Sequence, residues 1–237
     1  MDAMPEPRTV LITGASTGIG AATAKRLRDA GDRLVLAGRR EQPLDELAAE
    51  LGGGDDVLVK TCDVTEWEQV QALADAALER FGAIDVVFAN AGFGASRGFL
   101  EESPEHWREM VLTNVLGVAH TIRATLPHLL ERGTGHYVIT SSVAGRRALP
   151  GSLYSATKWA ATAIGESLRQ ELRQMHENDR IKVTLIEPGM VATPFFDKRP
   201  TGALEADDIA AAVVYAITQP DRVDVNEILI RPSSQPT

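Results

Sequence analysis

Short, nearly continuous apolar runs alternate with longer amphipathic ones along this chain. "TVLIT" precedes "IGAATAKRLRDAG", "RLVLAG" precedes "QPLDELAAELGG", "VLVKTCDV" precedes "EWEQVQALADAALERFG", and "IDVVFANAG" precedes a helix-rich stretch through Leu130. Strands that are aliphatic or β-branched at almost every position fit a parallel sheet covered by helices on both faces. The rhythm continues with "GHYVIT", a helix from about Ser152 to His176, "IKVTLIEPG", "EADDIAAAVVYAITQ" and "NEILIR". Gly31 and Gly82 stand where helices should stop before the next strand. The pattern predicts an α/β fold: one doubly wound domain over residues 1–237, with a seven-stranded parallel sheet between Arg8 and Arg231. The stretch from Met190 to about Leu204 is the longest without periodicity. It follows the carboxyl end of a strand, where open α/β sheets bind ligands, and reads as a substrate lid.

Composition narrows the function classes. A formal net charge of -9 argues against a nucleic-acid binder, because such a surface repels a phosphate backbone. Cys62 is the single cysteine, which excludes an intramolecular disulfide and a cysteine zinc cluster; packing within a strand is its expected role. His106, His120, His128, His136 and His176 form no HExxH pair, so no metal is expected. No apolar run approaches the roughly 20 residues of a spanning helix, and "MDAMPEPRTV" does not read as a targeting segment. The expectation is an untargeted, cytoplasmic protein without a membrane.

The first strand ends in "TGASTGIG", with Gly14, Gly18 and Gly20 leading into a helix. Glycines without Cβ atoms let a pyrophosphate approach the backbone at a helix N-terminus, which favours negative charge. The spacing is neither the common GxGxxG nor a P-loop. The second strand ends "LAGRR": Gly38 stands where a carboxylate would bond the ribose of NAD, and Arg39 and Arg40 follow. A guanidinium fork suits a 2′-phosphate, so NADP is expected over NAD, although paired arginines can also simply end a strand.

In "YSATKWA", Tyr154 and Lys158 stand four apart and stack on one helix face. A solvated helix edge can carry the same pair. Reduction of a carbonyl builds charge on oxygen that a tyrosine can protonate, and a lysine one turn away is expected to lower that tyrosine's pKa. Ala156, Ala160 and Ala161 keep the surroundings slim.

On these motifs the chain resembles the short-chain dehydrogenase/reductase family. "TGASTGIG" matches its TGxxxGIG signature, followed in the family's order by "CDV" at 62–64, "ANAG" at 89–92, Asn114 in "LTNVLG", "SSVAG" at 141–145, "YSATK" at 154–158 and "PGMVAT" at 188–193. The resemblance implies a Rossmann domain and a metal-free proton relay through Asn114, Ser142, Tyr154 and Lys158, with Asn114 sustaining a water-linked path. It implies cofactor contacts from Gly14, Ser16, Thr17, Gly18, Ile19, Gly20, Arg39, Arg40, Asp63, Val64, Asn90, Ala91, Gly92, Tyr154, Lys158, Pro188, Gly189, Val191 and Thr193. Asp63 and Val64 would flank the adenine, and Asn90 to Gly92 the ribose side.

The family's second-serine pattern gives Ser142, while its usual separation from the tyrosine gives Ser141. Alternation along a strand lets one of them face the site, and Ser142 is chosen because a shorter loop from Arg146 to Leu153 costs less than a register shift. "VNEILIRPSSQ" and "SSVAGR" resemble the branch of 3-hydroxy-acid and serine dehydrogenases and aldehyde reductases. Met190, Val191, Ala192, Phe195 and Phe196, with Lys198 and Arg199 behind them, are compatible with a small polar or acidic substrate. A homotetramer, or a homodimer, paired through the helices of Asn114 and Tyr154, is implied as well. The function expected is hydride transfer between NADP(H) and a small carbonyl compound or alcohol; a catalytically silent NADP sensor on the same fold is the alternative.

Overall fold

Every strand of the main sheet runs the same way. The computed structural model describes residues 7–94, 98–150, 153–195 and 200–235. In chain order its elements are β1 (Thr9–Thr13), α1 (Gly18–Asp29), β2 (Arg33–Gly38), α2 (Glu41–Glu50), β3 (Val57–Thr61), α3 (Trp67–Phe81) and β4 (Val86–Ala89). A long helix follows, made of α4 (Pro104–Val111), a π-helical turn (Leu112–Leu116) and α5 (Gly117–Arg132). Then come β5 (Gly135–Thr140), α6 (Leu153–Gln174), β6 (Ile181–Pro188), β7 (Val191–Ala192), β8 (Leu204–Glu205), α7 (Ala206–Ile217) and β9 (Glu227–Ile230).

The seven-stranded sheet has the order β3-β2-β1-β4-β5-β6-β9, and all its pairings are parallel. This is a Rossmann-like α/β fold. Alternation along β1 divides the interior: Leu11 packs with α3, α5 and α6 on one face, while Val10 and Ile12 pack with α1, α2 and α7 on the other. Both sides of the strand are therefore withdrawn from water, which is why the strand carries no polar alternation. The order reverses between β1 and β4, so their carboxyl ends open a crevice at the switch point.

The helix ends follow local chemistry. Gly82 takes a left-handed conformation (φ 73°) just beyond α3 and donates its N–H to Leu78 O at 2.8 Å. Glu205 and Asp208 form a reciprocal capping box at the start of α7. α6 ends at Gln174, short of His176, and Ser152 lies outside the described residues. Cys62 falls one residue beyond β3, not within it; its N–H still bonds Gly38 O at 2.9 Å, and its buried side chain joins the cleft wall. The aperiodic stretch from Met190 is tied at its base: Val191 pairs with Leu204, and Ala192 with Glu205, in a two-stranded parallel sheet. Phe196, Lys198 and Arg199 lie outside the described residues. Among the described residues no helix is long and apolar enough to cross a membrane.

Candidate active site

The crevice at the carboxyl ends of the strands is a cavity of about 1320 Å³. That exceeds the upper end of a drug-sized pocket, roughly 1,000 Å³, and leaves room for a dinucleotide beside a small reactant. At one end the glycine turn brings Gly14, Ser16, Thr17, Gly18 and Ile19 to the wall. α1 begins there with no side-chain cap and no acidic residue in its first turn, so its first amides are open to an anion. Gly20 does not line the cavity. A Cβ at that position would lie 2.3 Å from Gly14 O, so Gly20 lets the helix fold back onto its own turn.

Arg39 and Arg40 follow β2 on the same wall, both exposed. Among the described residues neither side chain has an ion-pair or hydrogen-bond partner. Asp63 and Val64 lie beyond β3; the Asp63 carboxylate accepts from Thr65 N and Oγ1. Asn90, Ala91 and Gly92 line the middle. The Asn90 amide is spent on the protein, donating to Thr13 O and Gly14 O at 3.2 Å and accepting from Thr140 Oγ1 at 3.0 Å. Asn90 therefore staples three strand ends together and leaves the backbone of its turn to face a ligand.

At the other end α6 delivers Tyr154 and Lys158. The Lys158 ammonium lies 5.7 Å from the Tyr154 ring centre and donates to Thr140 O at 2.9 Å. It is 4% exposed and has two further donors for this cleft. Burial pushes Lys158 down to about 8. Burial also pushes the Tyr154 phenol up to about 12, with a hydrogen bond from Ser142 acting in the opposite direction. The net shift of Tyr154 is therefore upward, against the lowering expected from the spacing of Tyr154 and Lys158, because desolvation outweighs the hydrogen bond from Ser142.

The two serines diverge, although not by strand alternation, because both lie beyond the end of β5. Ser141 Oγ donates to Lys158 O at 3.0 Å and meets Thr162 Oγ1 at 2.7 Å, turned into α6. Ser142 Oγ donates to Pro188 O at 3.3 Å and accepts from Ala144 N at 3.1 Å, and it lines the cavity together with Tyr154, on whose phenol it acts. Asn114 stands in the π-helical turn, behind the wall. Its Oδ1 accepts from Phe93 N at 3.0 Å, and its Nδ2 donates to Phe93 O at 2.9 Å and Thr157 Oγ1 at 3.0 Å. A Cβ on Gly92 would sit 3.0 Å from Asn114 Oδ1 and 3.5 Å from Lys158 Nζ, so glycine keeps that passage clear.

Pro188, Gly189, Val191 and Thr193 complete the wall after β6. Sequence reading missed Gln235, whose Oε1 accepts from Met190 N at 2.8 Å, and Thr140, whose carbonyl seats Lys158. It missed Phe93, Gly94 and the 147–150 turn as well. Phe195 stands edge-on to Tyr154 at 5.6 Å, over Gly94, where a Cβ would come within 2.4 Å of its ring. Such contacts join segments distant in the chain and carry no periodic signal.

Arg39 and Arg40 after β2, the open amides of α1 and the buried ammonium fit a dinucleotide lying across the switch point. Comparisons with known proteins bear on the same residues. The family model described as short chain dehydrogenase matches residues 8–203. An uncharacterised oxidoreductase of Staphylococcus epidermidis is 41% identical over 229 residues, covering 95% of this chain and 97% of that protein. The closed form of a serine dehydrogenase complexed with NADP+ superposes with a TM-score of 0.89 at 30% identity, over 97% of this chain and 96% of that one. A short-chain dehydrogenase/reductase of Burkholderia phymatum in complex with NAD gives 0.85 at 32% identity, over 94% and 88%. With the sheet order, the glycine turn and the Ser-Tyr-Lys cluster in place, the chain belongs to the short-chain dehydrogenase/reductase family of oxidoreductases.

Proposed function

We propose that this protein is an NADP(H)-dependent oxidoreductase, a carbonyl reductase or alcohol dehydrogenase that moves a hydride between the nicotinamide and a small carbonyl compound or alcohol. The observation that carries the reading is that Ser142, Tyr154 and Lys158 line one cavity, the Lys158 ammonium 5.7 Å from the Tyr154 ring centre, while its far wall holds Arg39 and Arg40, whose side chains have no partner among the described residues. The cofactor, when bound, supplies or takes up the hydride. The protein's own part is to place the carbonyl oxygen and manage its proton. Ser142 and Tyr154 line the same cavity, so the Tyr154 hydroxyl and the Ser142 hydroxyl, turned from Pro188 O, can both hydrogen-bond that oxygen. Tyr154 gives it a proton in reduction and removes one in oxidation. Lys158, fixed by Thr140 O, stabilises the phenolate that reduction leaves behind. Asn114 holds the Phe93 turn against Thr157 and so keeps the passage from Lys158 in shape.

Arg39 and Arg40 support NADP over NAD through the 2′-phosphate, while the similar solved structures include complexes with each cofactor. The segment 190–204 is assigned to the substrate side, and the chain to a single domain. Val111, Leu116 and Trp159 expose apolar surface on the helices bearing Asn114 and Tyr154, while Tyr215 and Leu229 do so on α7 and β9. Two separate patches are what a homotetramer with two kinds of twofold contact requires, and light scattering measures it. The activity is tested by following NADPH and NADH oxidation with a panel of aldehydes and ketones. Turnover that falls about 10²-fold or more in Tyr154→Phe, with cofactor affinity retained, is the expected result. Cofactor binding without turnover of any member by the unmodified protein overturns the reading.

A further inference from the structure

We propose that Arg147 is an anion subsite at the substrate end of the cleft, so that the preferred substrates are carbonyl compounds carrying a carboxylate on an apolar body. The inference rests on the oxidoreductase reading and adds a substrate class to it.

Two consecutive arginines follow the site serine, and the fold uses them differently. Arg146 is locked: its Nε donates to both oxygens of the fully buried Glu187 at 2.7 and 2.9 Å, and its terminal nitrogen pairs with Glu227. Arg147 is exposed on the cavity wall, and among the described residues its side chain has no hydrogen-bond or ion-pair partner. Its backbone is nevertheless fixed. Arg147 N donates to Val143 O at 2.9 Å, and two residues on Leu149 N donates to Ser155 Oγ at 2.8 Å, beside Tyr154. The guanidinium therefore rises from a turn anchored next to the reacting groups.

The cofactor's own charges do not account for it. A dinucleotide places its phosphates at the glycine turn after β1 and, for NADP, at Arg39 after β2. Arg147 follows β5, two strand positions from β1 and three from β2 in the sheet, which is roughly 10 and 14 Å at ordinary strand spacing. Charge points the same way. The chain carries a net -9, yet among the described residues the cavity wall holds Arg39, Arg40, Arg147 and Lys158 against one carboxylate, Asp63. Asp63 follows β3, at the far edge of the sheet, and already accepts two bonds from Thr65. The turn that bears Arg147 is otherwise apolar where it lines the wall, with Val143, Ala148, Leu149 and Pro150, and Met190 and Phe195 line the same cavity. A guanidinium in such surroundings binds a carboxylate in a charge-assisted, bidentate manner and rejects its neutral ester.

The test compares para-formylbenzoate with its methyl ester, using NADPH and NADH, in the unmodified protein, Arg147→Gln and Arg147→Lys. The expected result is a kcat/KM ratio of acid to ester of about 10 or more. The ratio should fall toward one in Arg147→Gln, chiefly through KM of the acid, and remain partly intact in Arg147→Lys. A ratio near one in the unmodified protein, or a ratio unchanged by Arg147→Gln, overturns the proposal. Calorimetric binding of para-(hydroxymethyl)benzoate in the presence of NADP+ provides a readout independent of turnover. Affinity roughly 10-fold weaker in Arg147→Gln supports the subsite even if no aldehyde is reduced, in which case the oxidoreductase reading alone falls. Equal affinity in both proteins, or no binding to the unmodified one, overturns the subsite.

Discussion

Tyr154 and Lys158 have been moved in opposite directions by the same burial, and the pH dependence of reduction follows from that. With the phenol near 12, Tyr154 keeps its proton throughout the working range. Lys158, near 8, is the group that changes charge there: it is an ammonium below that value and loses its charge as pH rises through it. Reductive kcat/KM should therefore be flat at lower pH and decline above about pH 8, and a profile flat to about pH 10 would contradict the assignment. The serines give a second expectation. Ser142→Ala should cost about 10²-fold in kcat, as the loss of one donor to a developing oxyanion does, whereas Ser141→Ala should act on stability through its bonds to α6. Tyr154 and Lys158 were legible as a pair because spacing four on a helix is a local signal, whereas the two serines were reached through the family resemblance. What local signals do not contain is the sign of a pKa shift, which depends on how much water the completed fold removes.

The elements show the same division. Strands and helices were legible because burial on both faces of a parallel sheet removes polar residues from every strand, and glycines mark several of the helix ends. The pairing of Val191 with Leu204 was not, since two-residue strands leave no periodicity. Nor was the link between β6 and the turn after β5, made by Glu187 and Arg146. Glu187 immediately precedes Pro188, whose carbonyl accepts from Ser142, so this ion pair fixes the serine's surroundings as well as the sheet. Removing Arg146 strands a buried carboxylate, and Arg146→Ala should destabilise by about 3 kcal/mol, the lower end for a buried pair because the arginine itself is partly exposed. Replacing Glu187 by Leu at the same time should recover part of that loss, which urea denaturation of the single and double variants measures. The π-helical turn around Asn114 belongs to this scale too. It adds a residue to one turn, so that Asn114 reaches Thr157 and Phe93 while Leu116, two residues on, is exposed.

At the scale of the whole molecule, a chain of net charge -9 gathers cations in its cleft, and the field seen by a ligand reverses between distance and contact. Arg39→Ala should weaken NADPH roughly 10- to 100-fold in kcat/KM and change NADH little, measured at fixed low ionic strength. Equal losses with both cofactors would show that Arg39 supports the fold instead. The two ends of the cavity are also joined by one short segment. Thr193 lies against Gly18 in the phosphate turn, and Phe195, two residues later, lies against Gly94 and edge-on to Tyr154. Only Pro194, whose ring fixes its own φ, separates these two contacts. The expected kinetic consequence is that the two ligands bind interdependently. Phe195→Ala, which touches no part of the phosphate turn, should alter the dissociation constant for NADPH as well as KM for the aldehyde. Product inhibition by the alcohol should then change its pattern against the cofactor, as it does when one ligand's occupancy sets the other's rate of escape.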